Sequence, residues 1–150
     1  MKRSPALVPL SRDHHHALEA ARRLRSATDV DVDSAIRHFE AYWEPRGSWH
    51  FDIEERLVLV AVPGYGDREW AEAADRVREE HAAIRVGAAA LAFSVPEHRL
   101  SAAQGLGQLL HDHVRFEERH LFPLLEDRLS EGRLQELGSA LAQAGRPVPA

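Results

Sequence analysis

The chain has 150 residues, no cysteine, 19 basic against 24 acidic residues and a formal charge of −5. That length suits one domain able to build its own core, and the lack of cysteine excludes disulfides, thiolate metal sites and cysteine-ligated iron–sulfur clusters. The scattered charge gives no electrostatic case for nucleic acid, and no apolar run reaches the ~20 residues of a membrane span.

The N-terminal stretch carries Lys2 and Arg3 but meets Arg12 and Asp13 too soon for a signal-peptide core, so a cytoplasmic protein is expected. Helical periodicity then dominates the whole chain. Ser11 or Asp13 can cap a first helix that places Ala17, Leu18, Ala21 and Leu24 at helical spacing. A second begins near Asp31 or Asp33 and runs through Ile36, Phe39 and Trp43. Pro45 and Gly47 interrupt the pattern, which resumes through Trp49, Ile53, Leu57 and Val60. It reads as one long kinked helix, or as two helices with a tight break. Pro63-Gly64-Tyr65-Gly66-Asp67 is the strongest turn signal, and Asp67 can cap a third helix through Trp70, Val77, His81, Ile84 and Leu91. Ser94 to Pro96 closes it. A fourth helix extends from about His98 or Leu100 to Leu129, with Gly105 and Gly107 offering close helix contact. The expected fold is all-α: an up-down-up-down four-helix bundle with a pseudo-twofold internal repeat. One domain is expected over 1–150, with its core at about 10–128, a short fifth helix over 131–143 and a flexible tail over 144–150.

Ten histidines stand out in this composition, and an internal repeat organises them. Arg12-Asp13-His14-His15-His16-Ala17-Leu18 matches Arg78-Glu79-Glu80-His81-Ala82-Ala83-Ile84 when His15 is set against His81. His50-Phe51-Asp52-Ile53-Glu54-Glu55-Arg56 matches His113-Val114-Arg115-Phe116-Glu117-Glu118-Arg119 in the pattern H-x-x-x-E-E-R. Residues four apart share a helix face, so His50 with Glu54, and His113 with Glu117, point one way. His81 shares its stripe with Val77 and Ile84, and His15 shares one with Leu18. Four imidazoles and two carboxylates then converge in one inward layer. Two buried carboxylates left unpaired cost several kcal/mol each, and a pair of metal ions neutralises them. Imidazole plus carboxylate suits Fe, Mn or Zn.

On RDHHHAL, HFDIEER, REEHAAI and HVRFEERHLFP, over about residues 10 to 128, the sequence resembles the hemerythrin-like, or HHE, cation-binding family. The resemblance implies His15, His50, Glu54, His81, His113 and Glu117 as ligands. It implies Glu54 and Glu117 as bridging carboxylates and two iron ions joined by an oxo (Fe–O–Fe) or hydroxo bridge. Oxygen-carrying members have a further His four residues after the third-helix ligand, where this chain has Arg85. Six ligands leave about two of twelve positions open on two six-coordinate ions. That resembles the six-ligand branch linked to nitric-oxide or oxidative stress, iron-centre repair and sensing, with O2, NO or peroxide as the small ligand. The cysteine-bearing segment of some repair proteins is absent.

Around this layer, Glu19 and Arg85 each follow a ligand His by four residues, and either pair across the bundle or face solvent. His120 lies on the stripe of His113 and Glu117 as an extra ligand, a proton donor or, by preference, a packed side chain. Glu55 and Glu118 step off the stripe and read as surface or supporting residues. His14, His16, His38, His98 and His111 read as exposed. Trp43, Trp49, Phe51, Phe93, Phe116 and Phe122 read as core. The competing class is a metal-stabilised binding module, holding iron or zinc without redox activity. A ferritin-type oxidase fits poorly, since only Glu117-x-x-His120 matches its Glu-x-x-His pattern.

Overall fold

The computed structural model describes residues 2–145, and among them there is no strand. The helical runs are α1 (Val8–Arg25), α2 (32–58), α3 (Arg68–Leu91), α4 (96–128) and α5 (Glu131–Gln143). α2 passes without a break through Val32–Tyr42, a π turn at Trp43–Gly47, Ser48–Ile53 and a second π turn at Glu54–Val58. α4 joins Pro96–Phe116, a π turn at Glu117–Leu121 and Phe122–Arg128. α1 packs along α4 and against α2, and α3 packs along α4. Among the described residues no helix is long and apolar enough to cross a membrane. The expected tail over 144–150 falls mostly on residues outside the described range.

Local chemistry explains the ends. α1 starts at Val8, before Ser11 and Asp13, because Pro9 sits in the first turn where a missing N–H breaks no helical bond. Pro96 starts α4 ahead of His98 for the same reason. Asp67 caps α3 by accepting from Trp70 N (3.0 Å) and also accepts from Arg128 Nε (2.7 Å), tying the start of α3 to the end of α4. Within α2, Pro45 has no N–H to donate. The π turn, closed by Ser48 N–H to Trp43 O, takes up the proline without ending the helix.

The apolar core falls into two clusters. One joins Ala17, Ala21, Leu24, Ile36, Phe39, Phe51, Ile84, Leu106 and Leu110. The other joins Leu7, Leu10, Ile53, Val58, Trp70, Val77, Leu121, Phe122 and Leu125, with Leu137 and Leu141 of α5. On each long helix the sequence steps from one cluster to the other across a polar position: Leu10–His14–Ala17 on α1 and Val77–His81–Ile84 on α3. Phe51 and Phe122 are buried, and Trp43, Trp49 and Phe116 are partly so. Phe93 departs from the expected core. It is 86% exposed, because α3 ends at Leu91 and the chain has left the inward stripe.

At Gly107 α4 lies close against α1. A Cβ there would lie 2.8 Å from Arg25 N, 2.8 Å from Leu24 Cβ and 2.9 Å from Ala21 O. At Gly105 it would meet nothing within 4 Å. Gly107→Ala is therefore expected to destabilise the protein by about 1–3 kcal/mol, since backbone must move to make room. Gly105→Ala is expected to stabilise it by up to about 1 kcal/mol through helix propensity alone. Urea unfolding of the two variants checks the contrast; equal effects would contradict the close packing.

Candidate metal centre

Among the described residues, six polar or charged side chains are buried: His14, His50, Glu54, His81, His113 and Glu117, none more than 4% exposed. Five of the six expected residues are thus brought together. The sixth is His14, not His15. The inward stripe of α1 is Leu10, His14, Ala17, Ala21 and Leu24, at alternating steps of four and three residues, and His15 stands a helical step away from it. His15 is exposed in a surface cleft with Leu18, Glu19, Arg22, His111 and Arg115. The periodic stripe already held this answer, because Ala17, Ala21 and Leu24 extend backwards onto His14. Matching Leu18 to Ile84 shifted the register by one. His14 set against His81 matches Ala17 to Ile84, and both of those are buried.

The six side chains form two sets, each with its ligand atoms within 4.8 Å of one another. One is His14, His50, Glu54 and Glu117; the other is His81, His113, Glu54 and Glu117. Both carboxylates belong to both sets. His14 Nε2 lies 3.0 Å from Glu117 Oε2, and His50 Nε2 lies 2.7 Å from Glu54 Oε1. His113 Nε2 lies 2.9 Å and His81 Nε2 3.5 Å from Glu117 Oε1. Close as these approaches are, both oxygens of Glu54, both of Glu117, and Nε2 of His81 and His113 have no hydrogen-bond partner. Such orphaned atoms are rare in folded proteins and call for an ion.

The outer nitrogens explain why the inner ones are bare. Each Nδ1–H donates to a carboxylate: His14 to Glu118 (2.7 Å), His50 to Asp13 (3.2 Å), His81 to Glu55 (2.6 Å) and His113 to Glu80 (2.9 Å). An ionised carboxylate only accepts, so Nδ1 carries the hydrogen and a neutral ring turns its Nε2 lone pair inward. His14 Nε2 and His50 Nε2 approach to 3.2 Å, two lone pairs face to face unless a cation or a proton sits among them. This is the carboxylate–histidine arrangement that fixes metal-binding imidazoles. Burial pushes the carboxyls of Glu118, Glu55 and Glu80 up, but their partners outweigh it. His14, Ser11 and Arg3 hold Glu118 at about 2, while His81 with Arg85, and His113 with Arg76, hold Glu55 and Glu80 below the usual range.

Without a metal, protons take the ion's place. Burial opposes a charge on His50 and His113, yet Glu54 with Asp13, and Glu117 with Glu80, raise each imidazole to about 10. Burial and the neighbouring Glu117 push Glu54 up. Glu117 is driven well down, since His113, His14 and His81 overcome its burial.

The matching family model is the hemerythrin HHE cation binding domain, over residues 7–135. The chain belongs to the hemerythrin HHE family. No curated protein and no solved structure matches it. As in a cation-binding hemerythrin domain, the buried His and Glu cluster fits a metal site.

Glu19, Arg85 and His120 lie outside the cluster. Glu19 and Arg85 do not pair. Glu19 binds Arg22 (2.8 Å) and Arg23 (3.0 Å) on the outer face of α1, while Arg85 binds Glu55 (2.8 Å) and braces the carboxylate that holds His81. His120 is exposed against Phe116, and Leu121 takes the inward place. The π turn that begins at Glu117 adds one residue, so the stripe passes from Glu117 to Leu121 and skips His120. A π turn begins at Glu54 in the same way. Tyr42 is the residue that periodicity missed. The Trp43–Gly47 π turn inserts one residue between it and His50, so eight residues count as about seven, or two helical turns. Burial, with the charges of Glu54, Asp13 and Glu117, pushes its phenol well above the usual range.

Two outcomes follow. His14→Ala is expected to lower metal content sharply and His15→Ala to leave it unchanged; the reverse, read by metal analysis of purified protein, would restore His15. In the metal-free protein the raised imidazoles stabilise fully below about pH 6.5, and that contribution is lost as pH rises toward 10. Its Tm should therefore fall across this window, while loaded protein should hold its Tm because neutral imidazoles bind the ion. Parallel thermal melts from pH 6 to 10 check the sign.

Proposed function

We propose that this hemerythrin-family chain binds two iron ions, one by His14 and His50 and the other by His81 and His113, with Glu54 and Glu117 shared between them. The observation that carries this reading is the pair of buried carboxylates, unsatisfied on all four oxygens and common to two separate histidine pairs. Manganese and zinc accept the same nitrogen and oxygen donors. The related motifs HFDIEER and HVRFEER on α2 and α4, and Asp13-His14 against Glu80-His81 on α1 and α3, support a two-repeat, up-down-up-down ancestry for the bundle.

Six protein ligands on two ions leave positions open, and Arg85, where oxygen carriers have a further His, is turned to Glu55. A bound iron pair supplies Lewis acidity and one-electron chemistry toward a small oxidant: O2, NO or peroxide. The chain's own part is to hold four imidazoles in one tautomer, to keep the carboxylates out of water and to line the site with Phe51, stacked 3.8 Å from His81. The role that fits is stress response, sensing or iron handling in the cytoplasm.

The test is metal analysis with visible absorption on iron-loaded protein, followed by anaerobic addition of O2, peroxide or NO. About two irons per chain and a spectrum that responds to one of these ligands are expected. Two zinc ions, or a spectrum indifferent to all three, would replace this reading with a metal-stabilised module.

A further inference from the structure

The four outer carboxylates are not equally held. Glu118, which fixes His14, accepts from Arg3 NH2 at 2.9 Å. Glu55, which fixes His81, is bound by Arg85 NH1 at 2.8 Å. Glu80, which fixes His113, accepts from Arg76 Nε at 3.1 Å, and Arg76 lies 3.8 Å over the Phe116 ring. Asp13, which fixes His50, has no cationic partner other than His50 itself among the described residues. It is also the most exposed of the four at 36%, against 24%, 29% and 23% for Glu118, Glu55 and Glu80, and its bond to the imidazole is the longest.

The packing of the rings points the same way. Phe51 stacks on His81 at 3.8 Å and meets His113 edge-on at 5.2 Å. His14 has only the more distant Phe122, at 5.5 Å. His81 and His113 are 0% and 1% exposed, and His14 and His50 are 3% and 4%. One half of the centre has both imidazoles held by braced carboxylates and wedged by a phenyl ring. The other half has one imidazole tied to a loose surface aspartate.

From this asymmetry we infer that the two metal positions exchange at different rates, the His14–His50 position being the one through which an ion enters and leaves, with Asp13 as the positioning residue that sets its rate. This rests on the dinuclear reading above. To release an ion its ligands must swing away, and an imidazole does so when its outer hydrogen bond gives. Among the described residues, the His50–Asp13 bond is the only one of the four whose carboxylate is not held in place by an arginine, so it is the one whose acceptor can shift with the ring. Outer partners of metal-binding histidines typically alter affinity by 10–100-fold when removed.

The experiment loads the full chain with ferrous iron under anaerobic conditions, counts bound iron, then follows its capture by excess ferrous chelator in a stopped-flow spectrometer. Two phases of equal amplitude are expected. Asp13→Asn should speed the fast phase by about 10–100-fold and leave the slow one alone, Asp13→Glu should restore the fast phase toward its original rate, and Glu80→Gln should speed only the slow phase. A general loosening of the fold would move both phases together. A single phase for two irons, or Asp13→Asn acting on the slow phase, would overturn the inequivalence while leaving the dinuclear reading intact. Fewer than two irons bound at the outset would overturn both.

Discussion

Two carboxylates at the centre of a helical bundle, with four oxygens and no hydrogen bond among them, are the constraint around which this protein is built. An isolated ionised carboxylate costs several kcal/mol to bury even after relaxation. Glu54 and Glu117 are both 0% exposed and face the same space. The remaining features of the site offset that charge. Four imidazoles surround the pair, each held by a carboxylate outside it, and three of those carboxylates are held by arginines. Outward from the centre the groups run from carboxylate to imidazole to carboxylate to guanidinium, and each layer leaves the next nearer to solvent.

The backbone serves the same end. Both shared glutamates sit at the first residue of a π turn. His and Glu four residues apart share a face of the α-helix before the turn; the following Glu55 or Glu118 then reaches the first-helix histidine of the other half, and the helix returns to its apolar stripe at Val58 or Leu121. A regular α-helix would set His120 on the same face beside Leu121. The apolar clusters above and below the layer exclude water and hold the helices at a fixed spacing, and Gly107 allows α1 and α4 to approach closely within one of them.

The matching motifs HFDIEER and HVRFEER, with Asp13-His14 and Glu80-His81, place their carboxylates in matching contacts. Asp13 and Glu80 precede the first-helix histidine and serve the second-helix one, while Glu55 and Glu118 follow the shared glutamate and serve the histidine across the bundle. The braces are not repeated. Arg85 comes from α3 itself, Arg3 comes from the segment before α1, and among the described residues nothing plays the part for Asp13. Arg3 and Arg85 lie outside the matching motifs.

The sequence by itself determined the all-helical fold, the turn at Pro63–Asp67, and five of the six clustered residues. Each of these follows from local rules: periodicity, capping, and the i, i+4 spacing that puts a His and a Glu on one face. It also contained His14, for the stripe of Ala17, Ala21 and Leu24 runs back to it, but three adjacent histidines can be told apart only by a register that is correct to one residue. Tertiary structure alone decided the rest. The π turns that exclude His120 and re-phase Tyr42 have no counterpart in a regular helical period. Glu55 and Glu118, one helical step off the stripe, gain their roles from imidazoles on other helices, as Arg3 and Arg85 do from carboxylates far away in the chain. Those contacts depend on how helices are set against one another, and the spacing of residues along a single helix carries no record of that.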